Sequence, residues 1–412
     1  MHGSGPLSGA VPIGGAKNSA LKLMAATLLT EGRHVLDNVP RIVDVEIMSD
    51  VLTSMGVDVT RDDDHRLTID CPAEIVPTAP YELVEQMRAS IVVLGPLLAR
   101  AGRAHVAVPG GDNFGPRPID MHLRGFEALG ATFETAHGYI DGRCDQLTGS
   151  RVMLEFPSVG ATENLLMAAV RAKGTTVIDN AAREPEIADL ADFLVAMGAR
   201  VYGAGTSTIE IEGVDELHPV THTVIPDRIE AGTFLAAVGV AGGEVSLDGA
   251  RADHMDMLLL KLTEMGMHIV VNDGGLFASC APRGLRSVDV STLPYPGVAT
   301  DYKPFLSVLL ALAEGVGIIT ENLFSGRFAY VDELVRMGAD IRTEGHHAVV
   351  RGVRRLSGAP VRAPDIRAGA ALVVAALGAD GETVVSDAHH IARGYEDLPG
   401  KLGALGAAVE GR

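Results

Sequence analysis

Apolar residues recur along the chain in two alternating patterns. The first is an apolar, alanine-rich run of helical length: "ALKLMAATLL", "SIVVLGPLLA", "ENLLMAAVRA", "GTFLAAVGVA", "PFLSVLLALA" and "GAALVVAALG". Each run is followed by a glycine-containing turn and a short strand: "HVLDNV", "AHVAVP", "TTVIDN", "EVSLDG", "GIITEN" and "ETVVSD". A loop comes next, then a second, amphipathic helix and one or two short strands such as "STIEIEG" and "HAVVRG". Mixed helix and strand periods with short connections predict βαβ-type units of an α/β protein.

The second helix ends each time on a Leu/Met-Gly step: "TSMGV", "EALGA", "VAMGA", "TEMGM", "VRMGA" and "GALGA". The glycines are Gly56, Gly130, Gly198, Gly266, Gly338 and Gly406, spaced 68 to 74 residues apart. Glycine there suits the left-handed residue that closes a helix. A period near 70 is long for a solenoid. Six copies therefore group as three per domain in two domains, with the hinge near "HTVIPDRIEAG". The opening strand "LSGAVPIGGAK" is assigned to the second domain and crosses over at Lys17. The expected domains are then 1–17 plus 228–412, and 18–227 carrying a mobile loop at 109–118.

The length of 412 residues fits two to three domains at roughly 150 each. Net charge is −19, which argues against general binding to nucleic acid or anionic membranes. An anionic ligand must be drawn by a local basic site. Cys71, Cys144 and Cys280 follow no metal or CxxC spacing and read as reduced and structural, in a cytoplasmic protein. The opening "MHGSGPLSGAV" lacks the pattern of a signal peptide, and runs such as "FLSVLLALA" are too short to span a bilayer.

The loops between strand and second helix each carry one arginine: Arg41, Arg117, Arg183, Arg251, Arg327 and Arg393. A cation at the electropositive start of a helix costs stability unless an anion offsets it. Two explanations stand. The arginines pair with nearby acids (Asp44, Asp120, Glu184, Asp253, Asp332 and Glu396), or they bind anionic ligands. The starts of the apolar helices are polar as well: Lys17 and Asn18, Arg88, Ser158 and Gly160, Asp227 and Arg228, Asp301 and Lys303, Asp365 and Arg367. Both sets fall at equivalent places in the repeat and should line one face of each domain. Two such faces opposed would make a basic cleft for phosphates and carboxylates. Asp112, in "VPGGDNFGPRPID", reads from its neighbours as a turn residue beside Gly111. The pairs His346–His347 and His389–His390, in strand or strand-end contexts, have no third ligand at metal spacing and read as structural. Met255, Met257 and Met265 read as core fillers.

"GGAKNSALKLMAA", "MRASIVVLGP", "PGGDNFGPRPIDMH", "PSVGATENLLMAA", "NAAREPEI", "PDRIEAGTF", "ATDYKPF", "DIRAGAALV" and "RGYEDLPGKL" together resemble the enolpyruvyl transferases. The likeness runs from about Leu7 to the C-terminus. It implies a two-domain inside-out α/β barrel of six βαβαββ repeats, three per domain, with the active site in the interdomain cleft. It also implies a metal-free transfer with no cofactor. The carboxyvinyl group of phosphoenolpyruvate would pass to the 3-hydroxyl of UDP-N-acetylglucosamine, with release of phosphate through a tetrahedral ketal.

On that resemblance Lys17, Arg117 and Arg393 would clamp phosphoenolpyruvate, supported by Asp365 and Arg367. Asn18 would hold the sugar, and Asp301 would lie against the reacting hydroxyl as base or orienter. Arg88, Arg117, Pro118, Ile119, Asp120 and Met121, with Phe156, Ser158, Val159 and Gly160, would line the nucleotide pocket. Leu323 and Arg327 would border the uracil and the cleft. Asp112 stands where most relatives carry a cysteine that acts as general acid and is alkylated by the epoxide fosfomycin. A carboxylate opens an epoxide far less readily than a thiolate, so the chain is expected to be fosfomycin-insensitive.

The sequence departs from the family at "HIARGY", where Ala392 replaces the usual Asp, and at "NLFSGRF". It departs again at "TDYKP", where Tyr302 and Lys303 follow Asp301 and Lys303 would add charge beside it. These changes bear on the acceptor. Transfer to uridine monophosphate, as in nucleoside-antibiotic synthesis, is the alternative, and a sugar-nucleotide-binding homologue without turnover is the third reading. The nucleotide signatures "RPID" and "SVGATEN" weigh against a shikimate-type acceptor.

Overall fold

The structure, a computed structural model, describes residues 1–62, 65–110, 118–324 and 326–410. It divides into two compact α/β units. One comprises Met1–Gly14 with residues 226–410, the other residues 15–110 and 118–225.

Each unit is built around largely apolar helices that are buried on most of their sides. Helix Ile366–Leu377 is buried along its whole length, and Arg228–Ala241 is buried except at Val240. A helix that is mainly apolar all round lies inside, and its few polar side chains then need buried partners. Helix Lys303–Leu312 joins these two in the first unit. In the other, Lys17–Ala26, Leu94–Ala101 and Val159–Ala169 play the same part. Sheets cover them. Strand Thr208–Glu212 is representative: Ile209 and Ile211 are buried and the intervening positions face outward, the alternation of a half-covered sheet.

Among the described residues, five four-stranded sheets share one scheme. In the 15–225 unit, Thr221–Thr223 runs parallel to Gly32–Asp37, which pairs antiparallel with Leu67–Cys71, itself antiparallel to Asp58–Arg61. Sheets centred on Arg103–Ala107 and Thr175–Asp179 repeat it. In the first unit, Leu7–Pro12 runs parallel beside Gly243–Asp248, and Val290–Ser291 beside Val316–Thr320. Two short parallel pairs, Leu356–Ser357 with Ala379–Asp380 and Pro360–Arg362 with Val384–Ser386, stand in the remaining place.

The outer helices, such as Val43–Ser54 and Pro185–Ala196, close at the six glycines singled out above. Their φ angles lie between +89° and +107°, where an added Cβ is strained. Two expectations are corrected. "SIVVLGPLLA" is not one α-helix, because a 3₁₀ segment, Arg88–Val93, precedes Leu94–Ala101. The Asn164 amide donates to Ile91 O at 2.9 Å and accepts from Gly95 N at 2.8 Å, the two groups an α-helix would join to each other. Pro96 then has no N–H to continue the ladder. His389 and His390 open a short helix, His389–Ala392, instead of ending a strand. Among the described residues, no helix is long and apolar enough to cross a membrane.

Candidate functional site

In the 15–225 unit, Gly15 makes the approach to Lys17 possible: a Cβ there would lie 1.7 Å from Asn38 O. Lys17 starts its helix with Nζ 2.5 Å from Asp44 Oδ2, both side chains largely buried. Asp44, in the first turn of Val43–Ser54, offsets the cost of a cation at a helix N-terminus. Asn18 is half-buried, and its carbonyl accepts from Lys22 Nζ at 2.9 Å. Lys22 lies 3.6 Å from Glu163 Oε2 inside the protein. Burial pushes the Glu163 carboxyl up to about 8, assisted by Glu186 and Glu184 and resisted by Lys22.

Arg88 Nη2 donates to Pro118 O at 3.4 Å, and burial holds its guanidinium below the usual range. Ile119 precedes helix Asp120–Ala128, where Asp120 faces Arg124 at 3.6 Å and Met121 is half-buried. Ser158 caps helix Val159–Ala169, its Oγ accepting from Ala161 N at 3.3 Å. The Val159 and Gly160 amides head that helix with no carbonyl of their own turn to meet. Phe156 is exposed beside them. The buried His122 packs against this turn, since a Cβ on Gly160 would lie 3.3 Å from its Nε2. The Asn164 amide reaches His122 Nδ1 at 3.0 Å; with that amide as donor, Nδ1 accepts and Nε2 carries the proton. Burial, then Arg88, pushes the imidazole down to about 4, so it is neutral at physiological pH.

In the other unit, Arg327 Nη1 donates to Asp301 Oδ1 at 2.7 Å, and Arg367 Nε lies 3.6 Å from Oδ2. Burial alone would raise the Asp301 carboxyl. The guanidiniums of Arg327 and Arg367 overcome it and hold the group well below the carboxylate range. Asp365 caps helix Ile366–Leu377, with Oδ1 accepting from Arg367 N at 2.8 Å and Ala368 N at 2.9 Å. Arg367 lies 5.3 Å from the ring centre of Tyr395, whose hydroxyl meets Thr233 Oγ1 at 2.8 Å. Arg393 is half-buried, just past helix His389–Ala392 and two residues before Tyr395. Leu323 N donates to Glu321 Oε1 at 2.8 Å.

Of the residues expected at the site, Asp301, Arg327 and Arg367 are brought into contact, with Asp365 fixing the turn beneath Arg367. Arg88 meets Pro118, and Lys17 and Asn18 are adjacent. Asp112 and Arg117 lie outside the described residues. One expectation about charge is corrected, and the two explanations kept open for the arginines are told apart. Lys303 adds no open charge beside Asp301, because it is sealed from solvent 2.8 Å from Glu321. Among the described arginines of this set, Arg251 pairs on the surface with Asp253, the acid named for it above, whereas Arg327 turns inward to Asp301. Sequence reasoning passed over Glu163, His122 and Glu321. Each is a polar residue on an otherwise apolar face or strand end, and that contrast was the available signal.

The sequence profile of the family described as EPSP synthase (3-phosphoshikimate 1-carboxyvinyltransferase) matches residues 1–402. The UDP-N-acetylglucosamine 1-carboxyvinyltransferase of Nocardia farcinica is 52% identical over 415 residues, covering 100% of this chain and 97% of that protein. The protein of the same name from Gluconacetobacter diazotrophicus is 51% identical, covering 100% and 98%. Among solved structures, the enolpyruvyl transferase NikO from Streptomyces tendae superposes with a TM-score of 0.89 at 29% identity, over 99% of this chain and 97% of that one. The matches extend along the whole chain and agree with the α/β units. The chain belongs to the EPSP synthase (3-phosphoshikimate 1-carboxyvinyltransferase) family.

Proposed function

We infer that the chain transfers the enolpyruvyl group of phosphoenolpyruvate to the 3-hydroxyl of UDP-N-acetylglucosamine, releasing phosphate, a step of peptidoglycan precursor synthesis. The observation that carries this reading is full-length identity of about half to relatives bearing that activity in their names. The clamped Asp301 carboxylate supports it chemically. Transfer to uridine monophosphate is not favoured, since relatives at 48–52% identity over their full length carry the UDP-N-acetylglucosamine activity in their names.

The chemistry follows from charge. Phosphoenolpyruvate brings a phosphate and a carboxylate, which Lys17, Arg117 and Arg393 are suited to hold, with Arg367 supporting. Asp301, ionised between Arg327 and Arg367, orients the acceptor hydroxyl by accepting its hydrogen bond. A bound anion offsets those cations, so the Asp301 carboxylate becomes basic enough to take the hydroxyl proton only when phosphoenolpyruvate is present. In the addition, the hydroxyl oxygen bonds C2 of phosphoenolpyruvate while C3 gains a proton from Asp112. In the elimination, C3 returns a proton to the Asp112 carboxylate, the C2–O bond breaks with its electron pair leaving on phosphate, which takes up the proton held by Asp301, and the double bond re-forms. The amides of Val159 and Gly160 suit a diphosphate at the head of their helix. Asn18 holds the sugar, and Leu323 borders the base.

The shared sheet scheme supports six βαβαββ repeats forming two inside-out barrels of three repeats each. The domains expected at 1–17 plus 228–412 and 18–227 are taken to be these two units, with the boundaries moved to Gly14/Gly15 and Ile225/Pro226, so that Lys17 goes with its helix. The test is phosphate release from phosphoenolpyruvate with each uridine nucleotide. Release with UDP-N-acetylglucosamine is expected. Release only with uridine monophosphate would replace this acceptor, and tight nucleotide binding without release would replace the enzymatic reading.

A further inference from the structure

Lys303 heads a helix that is otherwise apolar, where the helix dipole disfavours a cation. Its side chain, like that of Glu321, has no solvent exposure, and Nζ lies 2.8 Å from Glu321 Oε2. The Phe328 ring centre is 4.0 Å from Nζ, and the Tyr330 ring centre 6.0 Å. Replacing such a pair with apolar side chains is often neutral or stabilising, so stability alone is a weak explanation for it.

Glu321 joins two pieces of the site. Oε1 accepts from Thr292 Oγ1 at 2.7 Å, Leu323 N at 2.8 Å and Phe324 N at 3.1 Å. Oε2 accepts from Thr300 Oγ1 at 2.7 Å. The Thr300 hydroxyl in turn accepts from Arg327 Nη1 at 3.3 Å, the same nitrogen that donates to Asp301. A carboxylate can receive all these donors at once, whereas a protonated carboxyl loses acceptor capacity.

We propose that Lys303 is a positioning residue for the acceptor hydroxyl: by keeping Glu321 ionised it fixes Thr300–Asp301 and the turn after Glu321 in the geometry that aims Arg327 at Asp301. This rests on the reading of Asp301 given above. Lys303 touches no reacting atom.

The position has a pH signature. Burial pushes the Lys303 ammonium down to about 8, with Glu321 resisting, Arg327 adding to the fall and Asp365 opposing it. The Tyr330 phenol, held above its ordinary range by burial, does not titrate in that interval. Asp301, held low, stays ionised through it. The protonated ammonium is the organising form, so kcat falls as pH rises through about 8. Stability runs the other way. Between about 8 and the ordinary lysine value near 10.4, the unfolded chain binds more protons at this site than the folded one, so Lys303 by itself makes the fold more stable as pH rises.

The test is phosphate release from phosphoenolpyruvate and UDP-N-acetylglucosamine between pH 6 and 10, for wild type, Lys303→Arg, Lys303→Met and Glu321→Gln. In wild type, kcat is expected to decline above about 8. In Lys303→Arg the alkaline limb disappears from the range, because a guanidinium keeps its proton. Lys303→Met and Glu321→Gln lower kcat roughly tenfold to a hundredfold at every pH, with the KM for phosphoenolpyruvate little changed. An alkaline limb that is identical in Lys303→Arg, or full kcat in Lys303→Met, overturns the proposal. Should the variants fail to fold, ¹³C-lysine NMR on the wild-type chain decides. A Lys303 titration coincident with the kcat limb supports the proposal, and one at the ordinary lysine value overturns it. Absence of turnover in wild type would instead count against the assigned acceptor, which separates the two failures.

Discussion

Asp301 accepts a hydrogen bond from Arg327 at 2.7 Å while Arg367 stands 3.6 Å from its other oxygen. Two cations around one carboxylate make it a poor base until something anionic joins them. Asp301→Asn is therefore expected to lower kcat by roughly 10²-fold or more while leaving nucleotide binding in place. Steady-state kinetics with an equilibrium binding measurement would check it, and unchanged kcat would refute the assigned role.

Arg327→Gln removes the main influence that holds the Asp301 carboxyl low. With burial unopposed on that side, the carboxyl rises, and protonation then abolishes its acceptor role. An acid limb in kcat, absent from wild type above pH 5, should appear in the variant, with activity falling as pH falls. A flat profile in both would show that Asp301 does not need its charge.

Glu163 offers a stability test remote from turnover. Its folded value near 8 exceeds that of an unfolded glutamate, so the folded state binds the extra proton between the two. The stability this confers is complete below the unfolded value and lost as pH rises through about 8. Glu163→Gln should therefore gain on wild type steadily from pH 5 to pH 8.5 in denaturant titrations. A difference independent of pH would mean that Glu163 is ionised throughout.

Asp365 serves as a helix cap whatever else it does. Asp365→Ala should cost about 1 kcal/mol of unfolding free energy, whereas Asp365→Asn keeps an acceptor for the same two amides and costs much less. Paired thermal melts distinguish them. Equal losses in both would mean that the charge, not the cap, matters.

Asp112→Cys supplies a thiol where the chain has a carboxyl, and time-dependent covalent inactivation by fosfomycin should appear with it. Intact-protein mass after incubation reads the adduct. Inactivation of the wild-type chain at the same rate would contradict the expected insensitivity.

Much of the architecture was legible because it rests on local rules. The largely apolar helices and the closing glycines are properties of short segments, and they sit where periodicity put them. The helix starts were legible too: Ser158 and Asp365 cap, and Asp301 and Arg367 converge. What escaped depends on contacts across long separations. Nothing near Lys303 announces Glu321, eighteen positions on, and nothing near Ile91 announces that the Asn164 amide will interrupt its helix. The sequence pattern also could not sort the arginines. Arg251 and Arg327 hold equivalent places, yet one meets an acid two residues away in solvent and the other meets Asp301 inside.

The strand Leu7–Pro12, paired to Gly243–Asp248, carries a consequence for synthesis. A ribosome that has released this strand must make more than two hundred further residues before its neighbour exists. The described parts of the other unit, 15–110 and 118–225, are made in that interval and are free to collapse meanwhile. His2 N lies 3.2 Å from Ala408 O, so these two segments are neighbours. A permuted gene that joined them and began at Pro226 would bring Leu7–Pro12 into line directly after the rest of its own unit and remove the wait.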